Sequence, residues 1–248
     1  MSARAVIATT TFYKSVEELR FKLACLFVAA ARKLGYSVVI VDGSPGKEVA
    51  EILRGLGALV YPQLHKGMGP GRREAFFHAR EVAFQVGAIA IAWVEPEKVD
   101  FIQSIEGLIE KIAMGFVDIV IPRRSGASWQ TWPAFQVESE KEANSVYNKV
   151  FGLKDFDPMF GPVLFSIEAA PYFVLCYVEG VEDTYIQHYA PRIASREGAQ
   201  VVSVEVDMTY PPEQKEEEEG ALNEAMLEKR RDQRDSLIQA YVVINRRY

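Results

Sequence analysis

Short apolar runs alternate with stretches of helical periodicity through the first half of the chain, and that alternation restricts the fold more than any single motif. The runs are AVIATTTF (5–12), SVVIVDG (37–43), ALVYPQL (58–64), AIAIAWV (88–94) and VDIVIP (117–122). Between the first two, Val16, Leu19, Leu23, Leu26, Phe27, Ala30 and Leu34 recur at the spacing of one helix face. Helical patterns follow at 47–57, 72–87 and 99–115. Strands apolar on both faces and separated by helices predict an α/β, Rossmann-like, mostly parallel sheet covered by helices on both faces.

The second half is less regular. SGASWQTWPAF (125–135) reads as a mobile loop, 139–152 as a helix, MFGPVLFSI (159–167) as a strand or hairpin, and VVSVEVDM (201–208) as a strand. The stretch 181–198 predicts helix on both sides of Pro191, which should kink or split it. TYPPEQKEEEEG (209–220) reads as a polar linker to a helix over about 221–241. The expected organisation is a single α/β domain over 1–215. An acidic linker and C-terminal helix (216–248) would then pack on that domain or on a partner subunit, and a homodimer through this helix is one expectation.

At 248 residues the chain can bury a substantial core. A net charge of −6, with basic residues mixed among acids as in EKRRDQRD, argues against nucleic acid as a partner. Cys25 and Cys176 lie far apart, with no Cys/His cluster, which fits a reducing compartment. The opening MSARAVIATTTFYK lacks the apolar core of a secretory signal, and no apolar run approaches the roughly 18 residues of a membrane span. A cytoplasmic protein without a transmembrane segment is expected.

Ligands of open α/β sheets bind beyond the carboxyl ends of the strands. Four such positions carry suggestive chemistry: Thr9-Thr10-Thr11, Asp42-Gly43-Ser44, the segment from Lys66 to Arg73, and Glu95-Pro96-Glu97. HKGMGPGRR can bring backbone N–H groups and arginines to a diphosphate at a helix start, or can be a flexible loop with solvated arginines. It is neither a P-loop nor a dinucleotide fingerprint. Two carboxylates at i and i+2 can hold a divalent cation, or can be a solvated turn. Asp155 and Asp157 follow a helix and read as a loop or capping feature, whereas Glu205 and Asp207 read as an edge-strand pattern. His78 reads as packed or solvated; His65 can touch a phosphate, and His188 can complete a metal site.

In this order, VIVDGSPGK, HKGMGPGRREAF, IAWVEPEK, MFGPVLFS and GVEDTYIQHYAPRIASREGAQVVSVEV resemble the nucleotide-sugar glycosyltransferases of the GT-A fold. The likeness is to family-2-like enzymes and their small retaining relatives that glycosylate glycerate or phosphoglycerate, and it spans about 5–210. It implies that Thr11 and Asp42 line a nucleoside pocket, that Lys66 and Arg72 meet base or diphosphate, and that Glu95 faces the ribose. It also implies Mg²⁺ or Mn²⁺ on Glu95 and Glu97, a site that His188, on its own reading, can complete. Asp183 becomes the acceptor-side catalytic residue, a base in an inverting reaction or an orienting group in a retaining one. Glu-x-Glu here replaces the family's Asp-x-Asp, and Thr-Thr-Thr-Phe-Tyr-Lys replaces its Pro-x-x-Asn-Glu.

The implied function is transfer of a sugar from a nucleoside diphosphate sugar to a soluble small-molecule or glycan acceptor. Two alternatives share the chemistry. One is a sugar nucleotidyltransferase, whose Gly-rich Arg motif would follow the first strand; the other is a non-catalytic nucleotide-sugar-binding or scaffold protein.

Overall fold

The computed structural model describes residues 4–182 and 185–247. The first half alternates as expected: β1 (Ala5–Thr11), α1 (Leu19–Lys33), β2 (Ser37–Asp42), α2 (Lys47–Gly55), β3 (Leu59–Pro62), α3 (Met68–Val86) and β4 (Ala90–Trp93). A 3₁₀ turn at Val99–Ser104 leads into α4 (Ile105–Ala113), followed by β5 (Ile119–Arg124), α5 (Gly126–Thr131) and α6 (Ala134–Phe151). Then come a 3₁₀ turn at Pro158–Phe160, β6 (Val163–Ser166), α7 (Ala170–Val174), α8 (Ile186–Arg196), β7 (Val201–Val206), α9 (Pro212–Gly220) and α10 (Glu224–Arg247).

The seven strands form one sheet in the order β3-β2-β1-β4-β6-β5-β7. All neighbours are parallel except β6, which runs antiparallel to both β4 and β5. Alternate strand residues enter two cores. Val6, Val39, Ile91 and Phe165 face α3, α6, α8 and α10, while Ile7, Ile40, Ala92 and Leu164 face α1, α2 and α4. Burial on both faces is what the uninterrupted Val/Ile runs require. The strand order reverses between β1 and β4, a topological switch point whose carboxyl side opens a crevice for ligands.

Several local expectations are corrected. The segment expected as a loop at 125–135 contains α5, capped by Ser125 Oγ accepting from the Ser128 N–H at 3.1 Å, and it runs on into α6. The polar linker is in fact α9, with Pro212 in its first turn, where a missing N–H is tolerated. α3 begins at Met68, inside the glycine-rich segment, because Pro70 also falls in a first turn. α8 is unbroken by Pro191: it starts only at Ile186, so the proline forgoes a single bond to the carbonyl of Gln187. Leu26 and Leu34, placed by spacing on the buried face of α1, are exposed. Leu26 lies about 100° round the helix from the buried Phe27.

The apolar end of α10 folds onto its own domain. Leu237, Tyr241 and Ile244 are buried, and the Tyr241 ring stands 5.0 Å from Tyr147 of α6. Among the described residues no helix is long and apolar enough to cross a membrane. Cys25 and Cys176 are free thiols.

Candidate functional site

Two cavities flank the first turns of α3 at the carboxyl edge of the sheet. One, of about 700 Å³, is bounded by Thr10, Thr11, Gly43, Gln63, Lys66 and Gly71, with Phe12, Leu64 and Met68 as its exposed apolar rim. The other, of about 300 Å³, is bounded by charged residues from the turn after β4, from α1, α3 and α6, and from the C-terminal helices. Gly71 belongs to the first and Arg72 to the second.

The larger cavity is held in shape by hydrogen bonds at its back. Thr11 and Asp42 are register partners on β1 and β2, and the Thr11 hydroxyl donates to Asp42 Oδ1 at 2.8 Å. The Ser44 hydroxyl donates to the same oxygen at 2.6 Å. Thr11 lines this cavity. Asp42, buried behind it, opens instead toward a neighbouring hollow with Pro45 and Tyr61.

The glycine-rich segment is pinned. Glu74 accepts from the backbone N–H groups of Leu64 and His65, each at 2.9 Å, and lies 2.7 Å from His65 Nδ1. Partial burial works against its charge, and these donors still hold its carboxyl below the usual carboxylate range. Gln63 reaches the carbonyls of His65 (2.6 Å) and Gly67 (2.7 Å). Its side chain fills the space that β-carbons at Gly43 and Gly71 would claim. His65, expected near a phosphate, is thus engaged with Glu74, and His78 stacks on Tyr61 at 3.8 Å.

The arginines of the segment are not solvated. Arg72 is buried, with its guanidinium 5.3 Å from the Trp93 ring centre and donating to Gln187 Oε1 at 2.7 Å. Burial lowers its proton affinity, opposed by the Glu95 carboxylate. Arg73 instead ties α3 to the far side, donating to the carbonyls of Val174 and Cys176 and to the Tyr189 hydroxyl.

Glu95 and Glu97 both line the smaller cavity. Lys98 donates to Glu95 Oε2 at 2.9 Å. Opposite, Gly161 at φ 99° leaves room for the same carboxylate; a β-carbon there would stand 2.7 Å from Glu95 Cδ. Burial raises the pKa of Glu97, opposed by Arg20 and Lys98. Arg20 donates to Glu218 at 3.0 Å, and Glu218 also accepts from Gln136, Tyr210 and Gln214. Burial would lower the pKa of Arg20, yet Glu97 and Glu218 hold it above its ordinary value.

The structure brings Thr11 and Lys66 to one cavity, and Arg72, Glu95 and Glu97 to the other. It does not bring His188 to the glutamates as a metal site: among the described residues no group of three or more His, Cys, Asp or Glu can hold a metal ion. His188 is buried on α8, its Nδ1 is 2.9 Å from the Tyr241 hydroxyl, and burial depresses its pKa to about 3. Asp183 lies outside the described residues.

Arg20, Lys98, Glu140, Tyr210 and Glu218 were missed by the sequence reading. Glu140 faces the smaller cavity and is bound from behind by Arg124, whose guanidinium also makes two bonds to Asp157. Asp157, expected as a loop or capping residue, is therefore half of a buried ion pair.

Neither a protein-family description nor a curated protein matches the chain. Solved structures do. Glucosyl-3-phosphoglycerate synthase of Mycobacterium tuberculosis in complex with phosphoglyceric acid superposes with a TM-score of 0.64 at 10% identity, over 97% of this chain and 80% of that one. The same enzyme in complex with UDP gives 0.63 at 10% identity over the same shares. This chain has a GT-A fold. A Desulfovibrio desulfuricans protein described as a nucleotide-diphospho-sugar transferase aligns over 96% of this chain and 98% of its own, with a TM-score of 0.50 at 12% identity. At such identities the GT-A likeness is one of backbone architecture, and the roles of individual side chains rest on the geometry above.

Proposed function

We propose that the chain is a glycosyltransferase, moving a sugar from a nucleoside diphosphate sugar to a soluble small-molecule or glycan acceptor. The observation that carries this reading is the division of labour around α3. A roomy cavity with an apolar rim, suited to a nucleoside, lies on one side of its first turns, and a charged cavity, suited to a diphosphate and sugar, lies on the other.

Phe12, Leu64 and Met68 offer apolar surface for a base to cover. Thr11 and Lys66 offer polar groups for the ribose and first phosphate, and the N-terminus of α3 with Arg72 favours the charge of the second. Transfer forms a bond from the acceptor hydroxyl oxygen to C1 of the sugar and breaks the C1–O bond to the diphosphate. The nucleoside diphosphate leaves with that electron pair, and Arg72 is placed to stabilise its charge. In an inverting reaction the acceptor proton passes to a base, a role the resemblance gives to Asp183.

Thermal-shift measurements with UDP-, GDP- and ADP-glucose on the wild type and on Lys66→Ala and Arg72→Met test the proposal. One nucleotide sugar should stabilise the wild type and stabilise each variant less. No stabilisation by any of them defeats the reading.

A further inference from the structure

The relatives of known structure include complexes with Mn²⁺ and UDP, so the fit of a divalent cation to this chain's Glu95 and Glu97 is a chemical question. Mg²⁺ and Mn²⁺ take oxygen ligands in near-octahedral arrangement and need carboxylates whose lone pairs are available. Here Lys98 occupies Glu95 Oε2 at 2.9 Å, and both side chains are largely shielded from solvent. The same carboxylate is seated over Gly161, which restricts its turning toward a new ligand.

The basic groups around it are built in. Arg20 is fixed by Glu218, which is itself gripped by Gln136, Tyr210 and Gln214, so the guanidinium is a fixture of the wall that faces Glu97. Arg72 approaches Glu95 from α3, anchored by Gln187. Arg230 of α10 completes the basic lining, and Arg124 behind the wall takes up the charge of Glu140. A divalent cation entering between the two glutamates would meet an ammonium and two guanidiniums within the range where like charges repel in a partly desolvated cavity. The donor set does not fit a metal ion.

Resting on the reading of the site given above, we propose that this cavity binds the donor diphosphate without a divalent cation. Lys98 is paired with Glu95, and Arg20, held by Glu218, lies beside Glu97, while Arg72 and Arg230 line the cavity for the phosphates. Side-chain cations thus stand where a metal ion would otherwise meet the phosphates, and Glu218 acts as the positioning residue for Arg20.

The test is a paired titration of the full chain. Mn²⁺ binding is followed by electron paramagnetic resonance on the unliganded wild type, and affinity for UDP-, GDP- and ADP-glucose is measured calorimetrically in excess EDTA and in Mn²⁺. The expected result is no protein-bound Mn²⁺, with nucleotide affinity equal within about twofold in the two buffers. Lys98→Met, which releases Glu95, should bind Mn²⁺ detectably at concentrations where the wild type binds none. Mn²⁺ bound by the wild type and lost in Glu95→Gln or Glu97→Gln overturns the proposal, as does nucleotide binding weakened about tenfold or more by EDTA. Failure of every nucleotide sugar to bind in either buffer defeats the functional reading instead, while the Mn²⁺ titration of the unliganded protein still decides whether Glu95 and Glu97 hold a cation.

Discussion

Arg124 and Asp157 are joined by two hydrogen bonds, Nε to Oδ2 and Nη2 to Oδ1, both at 2.8 Å, and the arginine side chain is fully buried. The Arg124 backbone N–H donates to Asp157 as well, and the guanidinium lies 3.5 Å from the Trp129 ring centre. This pair fixes the end of β5 to the turn before β6, and through Glu140 it fixes α6 at the wall of the charged cavity. Removing Asp157 leaves the buried guanidinium with Glu140 alone and several buried donors without their acceptor, so Asp157→Ala should lose about 1–3 kcal/mol of stability in urea denaturation. A loss no larger than that of a surface substitution would show that the pair is not the clamp described.

Glu74 should be the residue that keeps the glycine-rich segment shaped for a ligand. In Glu74→Ala the backbone N–H groups of Leu64 and His65 lose their acceptor. Amide hydrogen exchange should accelerate at these two positions while the β1 and β2 amides stay protected. Nucleotide-sugar affinity should fall with it, since the segment would have to be ordered on binding.

Gly161→Ala tests the seat of Glu95. The backbone at φ 99° disfavours any side chain, and the added carbon would collide with the Glu95 carboxylate. A stability loss of about 1–3 kcal/mol is expected from the backbone conformation, read as a lowered melting temperature. Displacement of Glu95 should also change the binding of nucleotide sugar, whereas a stability loss with unaltered binding would separate Gly161 from the site.

His188 predicts an acid-sensitive fold. Its folded pKa, about 3, lies below the ordinary value of 6.5, so the unfolded chain binds the extra proton between these limits. Its contribution is fully present above about pH 6.5 and is lost as pH falls toward about 3, at up to roughly 1.4 kcal/mol per pH unit. Urea denaturation at pH 7.5 and 5.5 should show this slope in the wild type and a shallower one in His188→Asn. Equal slopes would contradict the assignment.

The strands and the covered sheet were legible because their Val/Ile runs state burial on both faces directly. α5 and α9 were not, since a six-residue segment of Gly, Ala, Ser, Trp, Gln and Thr and a run of glutamates after two prolines lack helical apolar periodicity. For the candidate site, strand-end positions led to Thr11, Lys66, Arg72, Glu95 and Glu97, because topology puts ligands there. Arg20 and Glu218 lie 198 residues apart and meet only when α9 packs against α1. Glu218 sits within EEEE, which reads as a solvated run, and Glu140 reads as one more charge on a helix until Arg124 is seen behind it. Lys98 stands three residues after Glu95 in the same turn, and its ion pair with that carboxylate emerges only once the turn is folded.

The most direct measurement of the central claim is a crystal structure of the protein soaked with UDP-, GDP- and ADP-glucose in turn. For one of them the account predicts difference density with the base against the Phe12, Leu64 and Met68 rim, the diphosphate beside Arg72 at the start of α3, and the sugar in the cavity holding Glu95 and Glu97. Density for a nucleotide elsewhere on the molecule, or for none at saturating concentrations, would contradict it.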